Sequence, residues 1–306
     1  MDAEKIQLSE LDIESLLAKT DAFINTMYYV KDSFGLIPNK EHIGTCINFA
    51  DLMEMREEFI KELVATTVKY VYSKDQQNKI KRQLMDEGRD ESDAAMMLAM
   101  RVREKFRKDD LKGQFSELLL FNLLQYHFKA IPLLRKMSIT TNPNLERNGA
   151  DAIHIAKVDE GYVLYLGEAK TYDRKQYGLS NAIRDSLESI IEHYNSHRKE
   201  INLYIFEDFI PAEIEDIAKK YLRGKINLEV HLVCMVSYDI KDDISGSNRR
   251  ENLNNIIECI KAESKRIHST TFKKIPINLH PRLNYIIFPV KEMDKLLSDF
   301  KKRLGV

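Results

Sequence analysis

Two apolar segments between Gly149 and Lys170 constrain this chain more than any other stretch. Each has the composition of a strand, and each carries charge where a purely structural strand avoids it. The first reads Gly149-Ala150-Asp151-Ala152-Ile153-His154-Ile155. The second reads Tyr162-Val163-Leu164-Tyr165-Leu166-Gly167-Glu168-Ala169-Lys170. Strand alternation puts Glu168 and Lys170 on one face and Ala169 on the other, with the two Cα atoms about 6–7 Å apart. Asp151 shares its parity with Ile153 and Ile155, and the small pair Gly149-Ala150 lets the backbone crowd a ligand.

The surrounding pattern gives an α/β fold. Asp109 and Asp110 can cap a helix running to about Phe128, with Pro132 past its end. Strands are expected at about 134–140, 151–157 and 161–170, and then a long helix at about 179–198 with Ile183, Leu187, Ile190, Ile191 and Tyr194 on one stripe. Residues 201–209 suit either state. A helix at 211–222 precedes a strand at about 228–238, whose run Val230-His231-Leu232-Val233-Cys234-Met235-Val236 reads as buried on both faces. A polar loop at 239–250, a helix at 251–268, a strand at 283–290 and a helix at 291–303 complete the order. Residues 1–108 read as a mostly helical N-terminal region, with helices at about 52–72 and 92–108 and an irregular stretch at 20–50. Residues 109–306 read as a second domain.

Composition narrows the function classes. Forty-seven basic and 48 acidic residues leave a formal charge of −1, so nucleic acid would have to be held by a local basic surface. Cys46, Cys234 and Cys259 lie far apart, which disfavours a zinc ribbon and a disulfide scaffold. Met1-Asp2-Ala3-Glu4-Lys5 leads into polar sequence, not an apolar signal core, and no uncharged run approaches the roughly 20 residues that span a bilayer. A cytoplasmic protein with no membrane contact is the expectation. No GxxxxGK[ST] occurs, so the chain carries no ATP-driven motor of its own.

An acid-x-lysine triplet means little by itself: Asp110/Lys112, Asp173/Lys175, Asp239/Lys241, Glu263/Lys265 and Asp299/Lys301 repeat it. Glu168/Lys170 differs because its strand is apolar throughout. Glu117 adds independent weight. It shares its helical face with Gly113, Phe121 and Leu124, and Phe115, Leu118, Leu119, Leu120 and Leu123 cover most of the rest. A carboxylate there needs a cation or a paired base. Taken singly, Asp151 can be a turn cap, Glu117 a structural ion pair and Glu168/Lys170 a solvated pair. Together they match a hard-cation phosphodiesterase site. His193 and His197 have helical i, i+4 spacing, but HExxH is not met and they read as solvated or structural.

On Gly113-Gln114-Phe115-Ser116-Glu117, Gly149-Ala150-Asp151 and Gly167-Glu168-Ala169-Lys170, the chain resembles the PD-(D/E)xK nuclease superfamily. The likeness covers 113–199, and the superfamily's αβββαβ core matches the order of elements read above. With its N-terminal helical region it is similar, more narrowly, to the HamA family, the nuclease subunits of Hachiman anti-phage systems. The resemblance implies an αβββαβ core with a metal-dependent deoxyribonuclease site. Asp151, Glu168 and Lys170 match the motif, Glu117 matches the acid of the first core helix, and Ala150 stands where the motif's proline would be. It also implies Mg²⁺ (or Mn²⁺) held by Asp151, Glu168 and Glu117, and DNA and a superfamily 2 helicase as partners. DNA contact is expected at Arg101, Lys105 and Lys108 before the catalytic helix and at Arg174 and Lys175 after the active strand, with partner docking on 1–108. A non-catalytic adaptor retaining the fold is the rival reading.

Overall fold

A computed structural model describes residues 16–107, 111–135, 137, 149–158, 161–172, 178–204, 212–241 and 243–306. In chain order its N-terminal elements are α1 (Asp21–Ile24), β1 (Met27–Asp32), β2 (His42–Ile47), β3 (Phe49–Ala50), β4 (Met53–Glu54), α2 (Arg56–Ala65), α3 (Thr67–Val71), α4 (Lys74–Asp86) and α5 (Glu91–Arg103). Next come α6 (Leu111–Phe128), β5 (Ile131–Pro132), β6 (Ala152–Val158), β7 (Gly161–Tyr172) and α7 (Gly178–Tyr204). The last are α8 (Ala212–Leu222), β8 (Glu229–Ile240), α9 (Arg249–Ser264), β9 (Leu283–Lys291) and α10 (Met293–Leu304), with 3₁₀ turns at Ser269–Lys274 and Ile277–Arg282.

The main sheet is mixed, in the order β1-β2-β9-β8-β7-β6-β5. Strands β2, β9, β8 and β7 run parallel, while the pairings at either end, β1–β2 and β7–β6–β5, are antiparallel. Apolar layers cover both faces. Ile153, Ile155, Leu164, Leu166, Leu232 and Cys234 pack with α7 and α9, and Ala152, Val163, Val233 and Met235 pack with α2, α6 and α10. Burial on both sides explains the uninterrupted apolar run of β8, where Leu232 to Val236 are all fully buried.

The expected helices and strands from 111 onward are present, with shifts at their ends. The strand expected at 134–140 is the exception. The strand observed here is β5 at Ile131–Pro132, just upstream, and most of 134–140 lies outside the described residues. Residues 20–50, read as irregular, hold α1 and the three strands β1, β2 and β3, and β1 and β2 extend the main sheet. The helix expected at 52–72 is preceded by β4 and divided at Thr66. There the Thr66 hydroxyl bonds back to Leu63 O at 2.7 Å and the Thr67 hydroxyl to Val64 O at 2.7 Å, competing with the helical ladder. Asn122 of α6 donates to the same Thr66 hydroxyl at 3.0 Å, locking the break against the next layer.

Helix α4 was not expected, because its sequence is polar nearly all round. Its start is nevertheless encoded: Ser73 and Gln76 form a capping box.

Candidate active site

The hairpin β6–β7 sets the register of the charged residues. Ala152 pairs with Gly167 and Ile153 with Leu166, so one further step puts Asp151 opposite Glu168. Directly opposed residues of an antiparallel pair project to one face with Cβ atoms about 4.5–5.5 Å apart. By parity this is the face of Ile153, Leu164 and Leu166, which packs on α7. Asp151, Glu168 and Lys170 therefore converge at the end of the sheet where β7 and its parallel neighbour β8 run toward their C-termini.

Glu117 approaches from the α6 side, and Gly167 permits it. A Cβ on Gly167 would lie 2.8 Å from Leu120 Cδ2 and 3.0 Å from Ala152 Cβ, so the missing methyl lets α6 press onto β7 one turn from Glu117. Glu117 is half-buried, and Tyr70 of α3 donates to its Oε2 at 2.7 Å. A small cavity brings Tyr70, Glu117, Arg135 and Asp151 to a common wall.

Each charge has an identifiable environment. The Asp151 Oδ2 accepts the Ala169 N–H at 2.8 Å. The residue keeps a partly exposed edge, yet its carboxyl is packed deeply enough that desolvation, followed by repulsion from Glu168 and Glu117, pushes its pKa well above the usual carboxylate range. Glu168 is 3% exposed. Its burial raises the pKa, but His193 and Lys170 outweigh that and hold it below the ordinary value. Lys170 Nζ stands 2.7 Å from Glu168 Oε1. Burial lowers the Lys170 pKa, and Glu168, Asp151 and Asp185 reverse the effect, so the ammonium is held above its usual range and stays charged.

His193 Nε2 lies 3.2 Å from Glu168 Oε2 but outside hydrogen-bond geometry, so this buried oxygen has no hydrogen-bond donor. The contact is electrostatic, and it helps hold the Glu168 carboxyl below its ordinary pKa.

The family model HamA matches residues 21–304, nearly the whole chain. The chain belongs to the HamA family. Membership points to a subunit of the Hachiman defence system and so to a defence-system partner. A comparison with curated proteins returns no match. Among the described residues, no helix is long and apolar enough to cross a membrane.

In this HamA-family chain, the four charged residues named from sequence gather at one end of the sheet. Of the five residues expected to contact DNA, two fall among the described residues. Arg101 is exposed on α5, whereas Lys105 falls in the turn beyond Arg103 and so does not share the helical face expected of it. Lys108, Arg174 and Lys175 lie outside the described residues. A further basic run, Lys261, Lys265, Arg266, Lys273 and Lys274, is partly neutralised, with Lys261 paired to Asp32, Arg266 to Glu263 and Lys274 to Glu188.

Three site residues escaped sequence reasoning. Tyr70 and Arg135 arrive through tertiary packing, and burial lowers the Arg135 pKa to about 10. His193 was read, with His197, as solvated or structural. His197 is structural, bonded to Tyr194 O and the Tyr221 hydroxyl, but His193 faces Glu168. Its place one turn after Ile190, on the buried stripe of α7, was the available signal.

Among the described residues no three His, Cys, Asp or Glu side chains form a ready-made metal cage. The donor chemistry nevertheless suits a hard cation completed by water. Asp151, Glu168 and Glu117 each engage one carboxylate oxygen with a protein donor, leaving a second oxygen on each, and that of Glu168 is buried.

Proposed function

We propose that this chain is the metal-dependent DNA nuclease subunit of a Hachiman defence complex, with a PD-(D/E)xK-type αβββαβ core formed by α6, β5, β6, β7, α7 and β8. The observation that carries the reading is the opposed pair Asp151/Glu168 with Lys170 beside it and a buried Glu168 oxygen lacking a donor. Asp151 and Glu168, with Glu117, would hold Mg²⁺ (or Mn²⁺), which supplies Lewis-acid neutralisation of phosphate charge and a more acidic water.

The chain's own residues account for the rest. Three carboxylates favour the charged form of Lys170, which fits it to anchor a phosphate oxygen and orient the attacking water more than to take a proton from it. Tyr70 fixes one oxygen of Glu117 and so aims the other. The DNA backbone is to be held by a local basic surface to which Arg101, Lys105, Lys108, Arg174 and Lys175 belong. A superfamily 2 helicase is proposed to dock on residues 1–108 and restrain cleavage until aberrant or invading DNA is engaged.

The test compares purified chain with Mg²⁺, with Mn²⁺ and with EDTA on linear DNA, alone and co-expressed with its helicase partner. Metal-dependent cutting that is reduced in a co-eluting complex is the expected result. A chain that binds DNA but never cuts it under any of these conditions identifies the non-catalytic adaptor instead.

A further inference from the structure

Helix α7 meets both acid-bearing strands, at two positions one heptad apart. His193 approaches Glu168 on β7. Glu200, seven residues or about two turns further along nearly the same face, accepts the Ala150 N–H on its Oε2 at 3.2 Å. This amide immediately precedes Asp151. Glu200 is only 8% exposed, so this bond is made away from water at the entry to β6.

Gly149 points to the same contact. Its φ of +106° disfavours any L side chain, and a Cβ there would lie 2.5 Å from Glu200 Oε1 and 2.6 Å from Cδ. Backbone conformation and close approach thus both require glycine where the chain passes the Glu200 carboxylate. Asp151 is consequently held from two directions. Its side chain is tied to β7 through the Ala169 N–H, and the backbone before it is tied to α7.

We propose that Glu200 is a positioning residue that anchors Gly149-Ala150 so that Asp151 enters β6 opposite Glu168 with its carboxylate set for the cation. The inference rests on the nuclease reading above. Glu200 itself touches neither cation nor substrate. It acts through Asp151, as outer residues orient the ligands of other metal sites.

The experiment titrates Mn²⁺ into the full chain by calorimetry and records melting temperature and exchange of the Ala150 amide. Glu200→Ala is expected to bind Mn²⁺ about 10–100-fold more weakly, with faster Ala150 exchange. Its cleavage should recover as Mn²⁺ is raised, because affinity and not the chemical step is damaged. Gly149→Ala should show the same weakening. Should Glu200→Ala not fold, Glu200→Asp keeps the charge but withdraws the acceptor, and the same loss of affinity is expected.

A folded Glu200 variant with wild-type Mn²⁺ affinity overturns the role of Glu200 and leaves the nuclease reading standing. Wild-type chain that binds no Mn²⁺ overturns the metal-dependent reading and this inference with it.

Discussion

Gly167 lacks the one atom that would hold the layer carrying Glu117 away from the strand carrying Glu168. Restoring it in Gly167→Ala sets a methyl 2.8 Å from Leu120 Cδ2 in a fully packed region. Overpacking of this kind costs about 1–3 kcal/mol. The variant is expected to melt lower and, at temperatures where it remains folded, to cut DNA more slowly because Glu117 is displaced; thermal melts and single-turnover assays read the two effects. Tyr70→Phe separates them. It removes a hydrogen bond to a half-buried carboxylate, costing about 1.5–3 kcal/mol, so the expected outcome is a modest fall in melting temperature with a distinct loss of cleavage. Wild-type cleavage by Tyr70→Phe would show that the tyrosine only packs. Asp151, Glu168 and Lys170 were legible in sequence because alternation along two apolar strands fixes which residues share a face. Tyr70, 47 residues before its partner Glu117, was not, since nothing local announces a contact made by packing α3 on α6.

Elements whose apolar pattern matches their burial were readable: β8, buried on both faces, and α7, with one buried stripe. Helix α4 and strands β1 and β2 were not. The first buries little, so its capping box was the main signal, and β1 and β2 are strands only because β9 offers an edge for β2 to pair with. Two strand histidines carry a pH dependence. His42 on β2 faces Pro38 O through Nε2 at 3.0 Å and receives the Tyr285 N–H on Nδ1 at 3.4 Å, an arrangement for the neutral ring. Burial lowers its pKa to about 4, and burial lowers that of His154 on β6 to about 3. An unfolded chain takes up these protons near pH 6.5 while the folded chain refuses them. Stability is thus full above about pH 6.5, falls as pH drops toward 4 by up to ~1.4 kcal/mol per unit for each ring, and loses no more to these groups below about 3. Denaturant melts from pH 8 to 4 check this, and His42→Gln should flatten the slope.

At the scale of the whole molecule, one sheet carries strands from both ends of the chain. Residues 27–47 form one edge, and the hairpin bearing Asp151 and Glu168 lies near the other. The α/β class and the order of elements after 111 followed from periodicity, and the family resemblance from three short charged motifs. The continuity of the sheet into the N-terminal region did not follow, because strand pairing between distant segments leaves no local trace. That continuity, with Tyr70 reaching Glu117, would give the partner proposed to dock on the N-terminal region a physical route to the site. All of this turns on whether Lys170 and its two acids perform the cutting. The most direct measurement is single-turnover cleavage of linear duplex DNA by purified wild-type and Lys170→Ala chains of matched melting temperature, with Mg²⁺ and with EDTA. Wild type should cut only with metal, and Lys170→Ala should be slower by on the order of 10²–10³-fold, the usual loss for removing one group that stabilises transition-state charge. A folded Lys170→Ala chain that cuts at the wild-type rate would contradict the assignment.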